Sequence, residues 1–229
     1  MVWREGCYTS ASMGFMKGRQ SMIRFIVGAF AILLGVLHTA SAQTVFTEAG
    51  GVVVIEAEGF SNNTSRVING TNFQWVATNA VAGFSGSGYM EATPNIGTNQ
   101  NGVWLNVSPQ LDYAVNFANA LTHYVWIRGY AVTNTDDSIH AGLPGAGVPG
   151  ATNTAANISL NQYNVWQWTR TNTANGVATL TVSGTGTQPF SLWMREDGMR
   201  GLTSIARACS AKSGARTTAN NAPRSLRKY

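Results

Sequence analysis

The chain has 229 residues, with 15 Lys+Arg against 10 Asp+Glu and a formal net charge of +5 that on its face suggests an acidic partner. That charge sits at the ends: residues 1–42 carry Arg4, Lys17, Arg19 and Arg24 against Glu5, and residues 201–229 carry bases and no acid. Residues 43–200 hold five arginines, no lysine and nine acids, which removes the clustered basic surface that a nucleic-acid-binding domain requires.

In chain order, Arg24 precedes the apolar run "FIVGAFAILLGVL" (25–37), and "ASA" (40–42) follows as a small-residue cleavage site. This pattern predicts an export signal cut after Ala42, leaving Gln43 as the first mature residue. A membrane anchor is the weaker reading, because thirteen apolar residues are too few to span a bilayer comfortably. Met22 makes a compact start for such a signal, and residues 1–21 then read as an upstream extension. The expected location is outside the cytoplasm: secreted, at the cell surface or periplasmic, with no membrane association after cleavage. Cys7 precedes the signal and Cys209 lies in the tail, so the mature domain has no internal disulfide framework.

Near the start of the mature chain stands "VVVIEAEGF" (52–60), an apolar run set directly against Glu56 and Glu58. In a continuous strand, residues two apart point the same way, so the two carboxylates share a face. Like charges there repel unless a cation, a basic partner such as Arg66, or water compensates them. Alternating short runs then recur between turn clusters. "GVWLNVS" (102–108), "LDYAVNFA" (111–118), "THYVWIRGYAV" (122–132) and "SIHAGL" (138–143) read as strands. A flexible link, "PGAGVPGATNTAAN" (144–157), precedes "VWQWTR" (165–170), "GVATLTVSG" (176–184) and "FSLWMRE" (190–196). In "ATLTV", Ala178, Leu180 and Val182 face one way and Thr179 and Thr181 the other. No long segment has helical period. The expectation is one all-β domain over 43–200, long enough for a real core.

Five segments in order, "VVVIEAEGF", "THYVWIRGYA", "DDSIHAGLPG", "NVWQWTR" and "LWMREDGMR", resemble the galactose-binding-like β-sandwich jelly rolls of carbohydrate-binding module family 6. The variety resembled most is the one at the C-terminus of family 115 glycoside hydrolases. The resemblance covers about residues 45–200. It implies a secreted, non-catalytic module that binds polysaccharide or oligosaccharide, as part of a larger glycan-active protein. It also implies that Glu56 and Glu58 help hold a structural calcium, with backbone carbonyls and an acid from the last strand. Calcium takes six to eight oxygen ligands, and two carboxylates supply the charge.

The last strand departs from that pattern. After "MREDGMR", residues 201–229 turn to Ala, Ser and Arg, a composition that reads as a disordered basic tail or a translated wrong frame. Codons for Gly201-Leu202-Thr203 read in a shifted frame can give Ile-Asp directly after Arg200, matching the resembled strand. The expectation is a frameshift near Arg200 that deletes the final strand and weakens any calcium site.

A sugar site needs flat apolar surfaces and nearby polar groups. By resemblance, Trp166 in "NVWQW" is a platform, and Glu196 and Asp197 at the turn of "REDG" lie where a polar ligand contact is presented. Trp75, in the loop-rich "NFQWVATNAVAGFSGSGYM" (72–90), is a plausible partner. Trp104, Tyr124, Trp126 and Trp193 are assigned to the core. Catalysis has a poor case: Asp136–Asp137 and Glu196–Asp197 are sequence neighbours rather than carboxyls facing each other across a bond, His123 and His140 read as structural, and neither G-x-S-x-G nor H-E-x-x-H occurs. A second class of function, adhesion or assembly through protein contacts on the same fold, stays open, as does the less favoured glycoside hydrolase.

Overall fold

The computed structural model describes residues 43–101, 105–144 and 152–207. The export signal, Trp104 and the tail beyond Arg207 lie outside the described residues. Fourteen strands follow in chain order: β1 (Val45–Thr47), β2 (Val52–Ile55), β3 (Asn62–Thr64), β4 (Arg66–Ile68), β5 (Thr71–Thr78), β6 (Tyr89–Thr93) and β7 (Gln110–Phe117). Then come β8 (Thr122–Tyr130), β9 (Ser138–Pro144), β10 (Thr152–Ser159), β11 (Gln167–Thr169), β12 (Thr179–Thr181), β13 (Gly186–Met194) and β14 (Arg200–Arg207).

They form two sheets. One runs β1-β7-β13-β9-β10, with β3 also on β7; the other runs β11-β8-β14-β6-β5-β4, with β12 on β8 and β2 on β14. Alternation places one face of each sheet in a shared core. From the first sheet come Leu111, Tyr113, Val115, Phe117, Phe190 and Leu192; from the second come Val53, Ile55, Phe73, Trp75, Met90, Val125 and Ile127. Ala178, Leu180 and Val182 are all buried, as their alternation requires. The expected all-β sandwich is the observed fold.

Three expectations change. Residues 105–108 turn rather than extend, so no strand occupies them. The supposed link contains β10, which pairs antiparallel with β9; its Thr and Asn residues satisfy the backbone ladder as well as apolar residues would.

The third correction is larger. The chain does not leave the fold at Arg200: β14 continues to Arg207, paired with β8 along its length and with β6 and then β2 on its other side. A ladder is built from backbone groups, so a Pro-free segment with Thr203 and Ile205 fills the slot even where its composition looks foreign.

Candidate functional site

Glu56 and Glu58 do not lie on an extended strand. β2 ends at Ile55, Glu56 is the N-cap of a single 3-10 turn over Ala57–Gly59, and Glu58 lies within that turn. Ala57 is buried beneath them, and its carbonyl accepts a hydrogen bond from the Tyr113 hydroxyl at 3.0 Å. The loop joining β5 to β6 passes over both acids: a Cβ on Gly86 would stand 3.6 Å from Glu56 Oε2, and one on Gly88 would stand 3.5 Å from Glu58 Oε1.

The electrostatics of this pair are only partly compensated, by Arg128 beside Glu56. Both carboxylate oxygens of Glu58 are buried without a hydrogen-bond partner among the described residues, as is Ser85 Oγ on the same loop. Burial, then the charge of Glu58, raises the Glu56 pKa, and Arg128 works against that rise. Burial, Glu58 and Asp112 together hold the Tyr113 hydroxyl well above its ordinary range. Arg66, the basic partner weighed from sequence, is turned elsewhere, donating to the carbonyls of Asn106 and Ser65. Among the described residues no three His, Cys, Asp or Glu side chains gather as a metal cluster. A hard cation still fits this donor set, because carboxylate oxygens that lack donors are what it would satisfy.

The same β5–β6 loop braces Trp166, which is half-buried just before β11. Its indole Nε1–H donates to Ala82 O at 2.9 Å, and its ring meets Tyr89 edge-on at 5.1 Å and Tyr130 at 5.6 Å between centroids. Arg128 places its guanidinium 5.4 Å from the indole centroid and donates from Nη2 to Gly83 O at 2.6 Å. Gly83 has φ +100, and a Cβ there would stand 2.8 Å from Trp166 Cδ1. Only glycine allows both that backbone and that approach. Beside Tyr130, Arg200 pairs with Glu91 at 2.8 Å. The arrangement offers aromatic surface flanked by guanidinium and carboxylate groups, the composition of a saccharide site.

The remaining site candidates are placed otherwise. Trp75 lies on β5, 3 % exposed in the core, with its Nε1–H given to Pro109 O, so no ring face is open to a ligand. The apolar alternation Phe73–Trp75 within "NFQWV" is a strand signal that the loop reading passed over. Asp197 is fully buried and accepts from the amides of Ile96, Gly97 and Thr98 at 2.8–3.1 Å. Glu196 accepts from Asp137 N at 3.1 Å, Asn99 Nδ2 at 2.9 Å and Arg195 Nη1 at 2.8 Å, and also from Ser138 Oγ. Both acids fasten loops and point away from solvent.

Asp137 lies against Glu196, and burial, followed by the charge of Glu196, raises its pKa to about 6. Tyr124 and Trp126 sit outside the main core, on the opposite face of the sheet. Arg128, Tyr130 and Arg200 were missed from sequence; the i, i+2 spacing of Arg128 and Tyr130 within a strand was the available signal.

The family model for the glycosyl hydrolase family 115 C-terminal domain matches residues 45–200. Among solved structures, the chain is similar to a family 26 mannanase from Podospora anserina that carries a family 35 carbohydrate-binding module, at 14% identity and TM-score 0.47 over 71% of this chain. It spans 29% of that mannanase's length. It is similar also to the C-terminal family 6 module of a marine laminarinase from Zobellia galactanivorans, at 17% identity and TM-score 0.41 over 68% of this chain and 99% of that one. A family 35 module from an environmental isolate aligns at 19% identity and TM-score 0.42, over 69% and 93% of the two chains. Comparison with curated proteins finds no match.

Proposed function

Because the chain belongs to the glycosyl hydrolase family 115 C-terminal domain family, we propose that it is a non-catalytic carbohydrate-binding module, exported and acting as part of a larger glycan-active assembly. The single observation that carries this reading is Trp166. It is a half-buried indole braced by Tyr89, Tyr130 and the Gly83 backbone, with Arg128 beside it. A braced ring presents apolar surface to a pyranose without losing rotamer freedom on binding. Glu196 and Asp197 act at a distance, by holding the loops around residues 96–99 and 137–138.

Calcium belongs to the same proposal as a structural ion. Glu56 and Glu58 would hold it with backbone carbonyls, and it would supply the positive charge that their partly compensated carboxylates lack. The ion's role is to fix the β5–β6 loop, and through that loop the position of Trp166.

The test is affinity electrophoresis on xylan, β-glucans, agarose and pectin, comparing the chain with Trp166→Ala. Retardation on at least one polymer, lost in the variant while its melting transition persists, supports the reading. A folded chain retarded by none of them overturns it.

A further inference from the structure

Along β8 the alternate residues Tyr124, Trp126, Arg128 and Tyr130 share the face turned away from the core, since Val125 and Ile127 point into it. Trp168 pairs opposite Arg128 and packs with Trp126, Val52 and Val54. Three arginines lie over these rings. Arg170 is 4.6 Å from the Tyr124 centroid and 5.0 Å from that of Trp126; Arg128 is 5.4 Å from Trp166, and Arg200 is 5.7 Å from Tyr130.

Each arginine has unmet donors. Arg170 Nε, Arg128 Nη1, and Arg200 Nε and Nη1 are shielded from water and find no acceptor among the described residues. An unmet buried donor is unfavourable by about 1–3 kcal/mol, so four on one face call for an acceptor that the described residues do not supply. Glu91 engages Arg200 only through Nη2, and Glu56 favours the charged form of Arg128 against the burial that lowers its pKa. Arg170 has no ion-pair partner among the described residues. Residues 43–200 contain only five arginines and no lysine, and three of those five stand here.

We propose that this outward face of β8 binds an acidic polysaccharide, its carboxylate or sulfate groups taken by Arg170, Arg128 and Arg200 while the partly exposed Tyr124, Trp168 and Trp166 hold the sugar faces. The inference rests on the carbohydrate-binding reading and extends it from one ring to a stripe. From Tyr124 to Tyr130 the strand runs about 20 Å, room for several sugars. Guanidinium suits the task because its planar fork matches carboxylate and sulfate oxygens while its face stacks on an aromatic ring. Single-stranded nucleic acid also stacks on aromatics. Its unbroken line of phosphates, however, would also meet Glu56 and Glu91, the carboxylates beside Arg128 and Arg200, whereas spaced anionic sugars need only the three arginines.

The experiment is affinity electrophoresis of the full chain and Arg170→Gln. The polymers are polygalacturonate and its carboxyl-reduced form, dextran sulfate and dextran, with oligothymidylate as a competitor. Binding to polygalacturonate (the carboxylate source) or dextran sulfate (the sulfate source) should exceed binding to the uncharged counterpart by about tenfold, the increment of one charge-assisted hydrogen bond. Arg170→Gln should remove that margin at an unaltered melting temperature. If that variant melts early, Arg170→Lys, which keeps the charge without the fork, should still narrow the margin. Equal binding of charged and uncharged polymers overturns the anion inference and leaves the carbohydrate reading standing. Binding to no polysaccharide at all overturns both. Oligothymidylate bound more tightly than either acidic polymer also overturns the inference.

Discussion

A Cβ placed on Gly83 would stand 2.8 Å from Cδ1 of Trp166, so the glycine sets where the indole can lie. The contact is reciprocal, because Trp166 Nε1–H binds the carbonyl of Ala82, the neighbouring residue. Gly83→Ala should therefore displace the ring as well as strain a backbone at φ +100. The expected destabilisation is about 1–3 kcal/mol. Retardation on the binding polysaccharide should fall further than that loss of stability explains. Urea melts beside affinity gels measure both.

Asp137 and Glu196 give the domain a pH dependence. The folded pKa of Asp137 is raised to about 6, above the usual aspartate value, so the folded state binds the extra proton. The stability linked to that proton is present below pH ~4 and is lost as pH rises through about 6. The groups facing it are Glu196, Arg195 through its pairing with Glu196, and the hydroxyls of Tyr163 and Ser159. Asp137→Asn imitates the protonated form and should stabilise the fold at pH 7 by on the order of 1 kcal/mol, with no gain at pH 4. Thermal melts of the two chains across that range check the difference; a constant offset would contradict it.

For calcium, the informative position is Leu202. It lies opposite Arg128 in β8 and next to Thr203, which pairs with Ile55 immediately before Glu56. A reading frame shifted after Arg200 would put aspartate at that position. We expect a small calcium-dependent rise in melting temperature in the present chain, a larger one in Leu202→Asp, and none when Glu56→Gln and Glu58→Gln are combined. Melting with calcium and with EDTA gives the answer, and identical melting in every arm returns the two acids to a role without metal.

The last strand can be tested by truncation. β14 lies between β8 and the β6–β2 side of its sheet, so a stop after Arg200 would leave two edges unpaired and the core partly uncovered. That truncation should abolish the cooperative melting transition, while a stop after Arg207 should preserve it. Circular dichroism melts separate the two outcomes.

Much of the fold was legible because alternation reports burial directly, as in Ala178, Leu180 and Val182 or along β7. Two elements were not. β10 and β14 have polar or small residues where a strand normally advertises itself, and the neighbours that fill the backbone ladder of β14 are far away in sequence. The site was less legible still. Trp166 could be singled out by resemblance, but Trp75 and Trp166 look alike in sequence, and one is sealed in the core while the other stands at its margin. Arg170 gave no local signal at all, because its significance comes from Tyr124 and Trp126, on another strand. The acids of "REDG" have the composition of a ligand contact and the environment of fasteners, a difference made by the amides of residues 96–98.

Among the described strands β14 is the last to be synthesised, and it occupies the middle of the larger sheet. Until it emerges, β2 has no partner in that sheet and β8 and β6 are not joined, so the N-terminal apolar run must wait for residues about 150 positions downstream. A chain that is still being made therefore remains unlatched until Arg207 has emerged. That ordering makes the eight residues of β14 the signal that folding can close.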